Sequence, residues 1–349
     1  HADDAAKAKK GDLISVRIDR PGRHGPPVAR ILDVIGDMTN EKAVSAIALH
    51  AHNIPHIFPQ RVLDEAEAAK AAPLKGREDW RNVPLVTIDP ADAKDHDDAV
   101  FAEADPDSAN PDGCIVTVAI ADVSWYVRPD TALDSEALLR GNSVYFPDRV
   151  VPMLPERISN DLCSLREGVD RPALAVKMVF DAAGHKKTHS FHRIMMRSAA
   201  RLSYQQAQSA IDGQTDEKTA PILETILQPL WQAYSIALKG RDARGPLDLN
   251  LPERKILLKP DGTVDRVEVP ERLDAHKLIE EFMIQANVAA AETLEAKKSA
   301  LVYRVHESPS LEKLESLREF LRSLEITLSR SGNLRPHHFN DILARVAET

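Results

Sequence analysis

The order of strand-like and helix-like segments in the sequence predicts an α+β fold. Short runs rich in β-branched residues dominate up to about residue 196, whereas helical periodicity dominates afterwards. The two kinds of segment do not alternate strictly, as they would in a βαβ protein. With 349 residues, of which 43% are hydrophobic, the chain is long enough for one large domain and a smaller piece.

The first predicted elements are two strands, at 11–18 and 27–36, separated by the turn-forming sequence DRPGRHGP. Two strands are only marginally stable alone, so we interpret them as the remnant of a small β domain or as an appendage of the next one. A segment of helical composition follows at 58–72 and leads into a polar, proline-containing connector. These features predict a domain boundary near residue 80.

The larger domain then contains four clear strand patterns followed by four helical ones. The strands are predicted at 84–88, 114–123, 173–181 and 189–196, and the helices at 216–239, 272–298, 310–329 and 338–347. The pattern at 272–298 is the most regular, because its apolar residues recur at i, i+3 and i+4.

Composition narrows the function classes. No run approaches the roughly 20 apolar residues that cross a bilayer, and Cys114 and Cys163 are the only cysteines, which favours a reducing cytoplasm over a disulfide-bonded exterior. The net charge of -9 lowers the expectation of a nucleic-acid partner but does not exclude one, since bound cations make an acidic site acceptable to phosphate. The chain begins with His1 rather than Met, and we expect it to be a fragment.

The most informative segment is TIDPADAKDHDDAV, residues 87–100, which places five aspartates close together with only Lys94 to offset them. A solvated acidic loop is the ordinary interpretation of such a segment. Here, however, the acids directly follow the apolar run PLVTI, at the end of a predicted buried strand where open sheets often carry their sites. Pro90 also favours a defined turn after Asp89.

The carboxylate oxygens of this aspartate-rich segment are suitable ligands for a hard divalent cation. Mg²⁺ takes one or two carboxylates directly, so four or five carboxylates suit two ions of the kind that assist phosphodiester cleavage. A calcium-binding EF-hand is the competing interpretation, but no register starting at Asp89, Asp92 or Asp95 supplies both the required Gly and the required Glu.

The segment TIDPADAKDHDDA closely resembles the signature of the RNase II/RNase R (RNB) family of 3′ to 5′ exoribonucleases, nearest to its RNase R branch. Further motifs occur in the family's order: VAIADVSWYV, GNSVYFPDRVVPMLPERISNDLCSL, RPALAV, DAHKLIEEFMIQAN and YRVHESP. The resemblance implies an RNB catalytic domain, a mixed sheet with surrounding helices, at 81–349. It also implies that 1–50 are the last strands of a cold-shock domain, an OB-fold β-barrel, joined by a helical linker at 51–80.

The resemblance implies roles for individual residues. The four family aspartates correspond to Asp89, Asp95, Asp97 and Asp98, some binding one or two Mg²⁺ (or Mn²⁺) ions and others positioning water or the phosphate; Asp92 is interpreted as a surface acid. Tyr145 matches a tyrosine beside the last nucleotide. The remaining predicted RNA contacts are Glu280, Glu281, Asn287 and Arg304, with Glu280 favoured over Glu281 and the choice between them left open.

The implied activity is hydrolysis of single-stranded or 3′-extended RNA, processively from a free 3′ end, to nucleoside 5′-monophosphates. The implied protein is a cytoplasmic monomer without a membrane partner. Two departures matter: an HFTSPIRRY-like motif is missing, and Leu249 stands where many relatives carry an aromatic residue. The alternative is therefore a truncated family member that binds RNA without cleaving it.

Overall fold

The computed structural model describes residues 8–19, 28–37, 42–247, 249, 251–328 and 334–347. Its first unit is a two-stranded antiparallel sheet of β1 (Asp12–Asp19) and β2 (Val28–Asp37), which confirms the two predicted strands. The predicted turn between them lies almost entirely outside the described residues. Two helices follow, α1 (Lys42–Ala51), which the sequence analysis did not predict, and α2 (Gln60–Ala68) within the predicted helical linker.

A mixed sheet forms the centre of the larger domain. Its strands and those of a small hairpin follow in chain order: β3 (Glu78–Trp80), β4 (Val86–Asp89), β5 (Asp98–Ala104), β6 (Cys114–Ala121), β7 (Val144–Tyr145), β8 (Val150–Val151), β9 (Asp170–Phe180), β10 (Lys186–Arg197) and β11 (Ala200–Ser203). Within the described residues, seven of them form one sheet in the order β11-β4-β5-β6-β9-β10-β3, with β7 and β8 paired separately. The two outer pairs, β11 with β4 and β10 with β3, are parallel, and the inner pairs are antiparallel.

The helices of the larger domain are α3 (Val123–Tyr126), α4 (Ala132–Arg140), α5 (Tyr204–Ile211), α6 (Gln228–Arg244), α7 (Asp274–Ala296), α8 (Leu311–Ser323) and α9 (Pro336–Ala347), and a hairpin of β12 (Lys255–Leu258) and β13 (Val264–Glu268) lies between α6 and α7 in the chain. Both faces of the sheet are covered by helices, whereas α8 and α9 pack in a separate small cluster. Among the described helices, none has the length and apolar character that would let it span a bilayer.

Two hydrophobic cores hold the layers together. On one face, α5, α6 and α7 pack over Val86, Val118 and Met178 of the sheet. On the other face, α2, α4 and a π-helical turn at Arg157–Leu162 pack over Ala99 and Ala175. Because both faces are covered, the central strands consist of nearly continuous apolar runs rather than of alternating polar and apolar residues.

The structure corrects parts of the helix prediction. The helices expected at 272–298 and 338–347 are present as α7 and α9, but the one expected at 310–329 already ends at Ser323. The helix expected at 216–239 begins only at Gln228, because a 3₁₀ turn and a π-helical turn occupy 220–227. The sequence analysis missed α4 and α5, whose nine and eight residues are too few to establish a helical period.

A close backbone contact fixes the end of α6 against the turn between β9 and β10. Gly240 of α6 lies against Gly184 of that turn, so that a Cβ on Gly240 would come within 2.3 Å of the Gly184 carbonyl oxygen. Gly184 itself has φ of +83°, a conformation that glycine adopts readily. The same part of α6 carries Arg241 and Arg244, which reach towards α7.

This contact predicts the effect of a substitution that helix propensity alone would favour. Alanine is better than glycine in a helix interior by about 1 kcal/mol, yet Gly240→Ala should destabilise the chain because backbone atoms cannot move aside cheaply. We expect a loss of about 1–3 kcal/mol in the free energy of unfolding, measured by urea denaturation. Ser235→Ala, an exposed position of the same helix, is the control and should change stability by less than about 0.5 kcal/mol. Equal or higher stability of Gly240→Ala would contradict the contact.

Candidate active site

The predicted aspartates lie where two neighbouring strands meet at one edge of the sheet. Asp89 is the last residue of β4 and Asp98 the first residue of β5, with the aspartate loop, residues 90–97, between them. Asp89 is buried, Asp95 and Asp98 are half-buried, and Asp97 is exposed. The four acids therefore line a short, locally acidic edge that solvent can reach.

Hydrogen bonds hold the aspartate loop in place. The His96 N–H donates to Ser164 Oγ at 3.2 Å, and the His96 carbonyl accepts from the Leu165 N–H at 2.8 Å. The Asp97 carbonyl accepts from the Ala121 N–H of β6 at 2.9 Å. Inside the loop, the buried His96 ring donates from Nδ1 to Asp89 Oδ2 at 2.8 Å. These contacts fix the backbone that carries the acids.

The clustered aspartates are unfavourable in their ionised form, because no nearby positive charge compensates them fully. Burial, together with the charges of Asp89 and Asp97, raises the pKa of Asp98 to about 7. Displacement of water by the surrounding protein, together with Asp95 and Asp89, raises the pKa of Asp97 to about 6. His96 opposes both shifts but does not cancel them. The site has an excess of negative charge that a cation would relieve.

The donor set fits a hard divalent cation that keeps part of its water shell. Within the described part of the chain, no three His, Cys, Asp or Glu side chains are already grouped as a metal cage. Mg²⁺ needs only one or two direct carboxylates, with water and substrate oxygens completing its octahedron. Asp97 and Asp98, with raised pKa values and without ion-pair partners of their own among the described residues, meet that requirement.

Asp92 differs from the other four members of the acidic segment. Its side chain is exposed and accepts from Lys255 Nζ of β12 at 2.9 Å, which lowers its pKa. The carboxylate is thus neutralised at the surface, in agreement with its interpretation as a surface acid.

Tyr145 lies close enough to the aspartates to feel their charge. It belongs to β7, and its side chain is 70% exposed, which is unusual for an aromatic residue. Its pKa is raised by partial burial and by the negative charges of Asp95 and Asp97. An exposed ring beside the acidic edge is suited to stacking on a base.

The structure separates the two glutamates that the sequence left open. Glu281 is 1% exposed and is held by Arg244 at 2.6 Å and Arg241 at 3.3 Å. Gln285 Nε2 also donates to it at 2.8 Å. Glu281 is therefore a buried link between α6 and α7, whereas the Glu280 side chain is 40% exposed and forms ion pairs with Arg272 and, at 3.7 Å, with Arg241.

The other predicted RNA contacts are two exposed residues, Asn287 and Arg304. Asn287 is exposed and donates to the Met283 carbonyl of its own helix at 2.9 Å. Arg304 is exposed in an irregular segment after α7. Neither contacts the four aspartates within the described residues.

Tyr204 is a site residue that the sequence analysis missed. It is the first residue of α5, directly after β11, whose Ser203 pairs with Asp89 across the sheet. Its ring stacks on His276 of α7 with 4.0 Å between centroids. Burial and the charges of Asp98 and Asp89 raise its pKa to about 12, so the phenol keeps its proton beside the acids. The capping-box spacing of Ser203 and Gln206 was the available sequence signal for this helix start.

Comparison with known proteins places this geometry in a family. Residues 77–348 match the family profile of the RNB domain, and residues 1–59 match that of a cold-shock domain. The chain is 39% identical to ribonuclease R of Vibrio cholerae over 349 residues and 39% identical to ribonuclease R of Escherichia coli over 352 residues. Each match covers 98% of this chain and 42% of the relative, so the chain spans less than half the length of these relatives.

A solved structure of Mycoplasma genitalium RNase R in complex with ribose-methylated single-stranded RNA superposes with a TM-score of 0.88 at 26% identity. The match covers 97% of this chain and 53% of that one. The predicted α+β fold, with a mixed sheet preceded by part of a cold-shock domain, is confirmed. The RNB profile covers well over half of the chain, and the chain therefore belongs to the RNB domain family.

Proposed function

We propose that the chain forms the catalytic part of a Mg²⁺-dependent hydrolytic exoribonuclease. It would degrade single-stranded or 3′-extended RNA processively from the 3′ end and release nucleoside 5′-monophosphates. The observation that carries the proposal is the anchored edge of four aspartates, two of them with pKa values raised to about 6 and about 7, in a chain related to ribonuclease R. We further propose a cytoplasmic monomer with domains at 1–50, 51–80 and 81–349.

In the proposed reaction, water adds to the phosphorus of the last phosphodiester and the bond to the 3′ oxygen of the preceding nucleotide breaks. That oxygen takes up a proton, leaving a shortened RNA with a 3′-hydroxyl and one nucleoside 5′-monophosphate. Asp97 and Asp98 would hold the cation, with Asp95 beside them and Asp89 kept in place by His96. A bound Mg²⁺ would neutralise the acids and supply positive charge to the scissile phosphate.

The remaining residues would position the strand. Tyr145, exposed beside the acids, would stack on the terminal base irrespective of its identity, since every base has a π-face. Glu280, on the exposed face of α7 one turn after His276, is available to a terminal nucleotide, whereas the buried Glu281 supports its helix. Tyr204 would donate a hydrogen bond from its protonated hydroxyl to the bound strand. Asn287 and Arg304 would also contact the strand.

Replacing one of the crowded, partly buried acids should stabilise the metal-free chain, whereas most substitutions destabilise a protein. The pKa of Asp98 is raised from an ordinary 3.8 to about 7, so its ionisation destabilises the metal-free fold increasingly from about pH 4 to about pH 7. Asp98→Asn should therefore raise the stability of the metal-free chain at pH 8, on the order of 1–2 kcal/mol, and by less at pH 5. Thermal unfolding in chelator at the two pH values measures the difference.

The matched control is Asp92→Asn, in the same loop. Asp92 has a lowered pKa through Lys255, so its replacement should leave stability unchanged or lower it slightly at both pH values. Added Mg²⁺ should raise the melting temperature of the parent and of Asp92→Asn but not that of Asp98→Asn. A metal response of all three proteins would place the ion elsewhere.

Activity is tested in a form of the protein with the full length of the relatives. Asp98→Asn should slow the shortening of 5′-labelled RNA by about 10³-fold or more, because it removes stabilisation made in the transition state, while RNA affinity persists. Asp92→Asn should retain near-parental rates. A ladder of single-nucleotide steps with 5′-monophosphate products is expected on gels and by chromatography. Internal cuts or nucleoside 3′-phosphates would contradict the mechanism, and binding without any cleavage would support the non-catalytic alternative.

Stacking on Tyr145 predicts a substitution series in RNA binding. Tyr145→Ala should weaken the binding of single-stranded RNA by about 1–3 kcal/mol, whereas Tyr145→Phe should keep most of the affinity because the ring remains. Phe320→Ala, at an aromatic residue that is 62% exposed on α8, is the control and should not change affinity. Fluorescence anisotropy at fixed salt gives the dissociation constants. Equal losses for alanine and phenylalanine at position 145 would exclude stacking as the contribution.

A further inference from the structure

A cavity of about 820 Å³ borders the aspartate loop and is lined by residues of that loop other than the acids. One wall is the loop itself, from Pro90 to His96, and the opposite wall is β11 with the start of α5. None of the four site aspartates and no part of Tyr145 lines it. The cavity is thus a separate space that shares only the loop with the candidate active site.

The lining of this cavity is basic although the chain as a whole is acidic. Four cations face it against one carboxylate: Lys94, Arg166, Arg201 and Lys218 against Glu167. Two of the cations are already engaged. Lys218 Nζ lies 2.6 Å from Glu167, and Arg166 lies 3.1 Å from Asp161.

The other two cations have no close partner. Neither the Lys94 ammonium nor the Arg201 guanidinium forms a hydrogen bond or an ion pair within 4 Å with the described residues. The Arg201 backbone N–H donates to Glu167 at 2.9 Å, and the charge of its guanidinium, together with that of Lys218, helps to lower the pKa of Glu167. Lys94 is the single lysine of the acidic segment, and it lines the cavity. Two cations without a close partner in a concave space can hold an anion.

We propose that this cavity binds the phosphate monoester of a nucleoside 5′-monophosphate; the proposal rests on the proposed function, which makes that molecule the product. A volume of about 820 Å³ lies within the range of small-molecule sites of about 300–1,000 Å³. A phosphate monoester carries a charge of about −1.5 to −2 at pH 7 and matches these two cations better than the single charge of an internal RNA phosphate does.

The charge of the product also explains why such a site would lie here. Cleavage converts a singly charged phosphodiester into a more highly charged monoester, and this product has to leave the acids before the next phosphodiester can enter. A cavity lined mainly by cations borders the same loop. Its cations would take up the leaving nucleotide and reduce its return to the acids.

The test uses adenosine 5′-monophosphate as the probe and a chelating buffer that removes any metal-dependent binding. Calorimetric titration should show saturable binding to the parent, and adenosine, which lacks the phosphate, should bind about tenfold more weakly or not at all. Lys94→Gln combined with Arg201→Gln should weaken the monophosphate about tenfold or more. The control pair Lys297→Gln with Arg322→Gln removes the same charge from exposed positions outside the cavity and should leave affinity unchanged. Circular dichroism melts check that both double variants fold.

Three results would overturn the inference. Adenosine 5′-monophosphate does not bind to the parent; it binds equally well to the parent and to the Lys94/Arg201 variant; or adenosine binds to the parent as tightly as the monophosphate does. A parallel loss of affinity for single-stranded RNA in the variant would make the cavity part of the strand path instead. Absent binding in a form with the full length of the relatives would mean that another part of the protein fills the space.

Failure of the proposed function would be seen in a different measurement. Asp98→Asn should leave monophosphate binding in chelator intact, because Asp98 does not line the cavity. If RNA degradation in the longer form is absent while the monophosphate binds as expected, the reaction is wrong and the anion site stands. If degradation follows the aspartates while the monophosphate does not bind, the cavity assignment alone fails.

Discussion

Mutual repulsion of four carboxylates at one sheet edge is the constraint around which the rest of this structure is arranged. Burial and, after it, the like charges of neighbouring carboxylates raise the pKa values of Asp97 and Asp98, and a chain free to move would separate these groups. The aspartate loop cannot do so because its backbone is bonded to β6 and to the residues after the π-helical turn. The fold holds an arrangement whose repulsion is relieved by a bound cation or by proton uptake, which is typical of a site prepared for a ligand rather than for stability.

Holding that edge rigid requires support from both faces of the sheet. The strands that bear the acids are buried between helices on each side, so they cannot bend away from the repulsion. Further back, the buried Glu281 would be costly without partners, but two arginines of α6 and Gln285 satisfy it. That network fixes α7 relative to α6, and α7 in turn places His276 against Tyr204 beside the acids.

The sequence predicted the parts of the site that depend on local order and missed those that depend on topology. An acidic run directly after an apolar strand indicates a candidate site whatever the neighbouring strands are, and the family resemblance then singled out four of its five aspartates. Glu280 and Glu281 differ by about 100° on one helix, and which of them is interior depends on packing against α6, where Arg244, some forty residues earlier, contacts only Glu281 while Arg241 lies near both. Tyr204 reaches the acids only because the four-residue strand β11 pairs in parallel with β4, a long-range pairing without local pattern.

The net charge of a chain is a poor guide to the anions it can bind, because it ignores where the charged side chains lie. Residue spacing failed to choose between the two glutamates for the same reason. A total of -9 weighs against a nucleic-acid partner, yet the aspartate loop that carries the acids also borders a basic cavity. The electrostatic field of a surface charge falls off within about 8–10 Å in physiological salt. A phosphate therefore responds to the charges near it and hardly to the net charge of the chain. A loop that bears carboxylates and also borders a cavity lined by cations can attract a cation and an anion at separate places, so the sum of its charges does not describe what it binds.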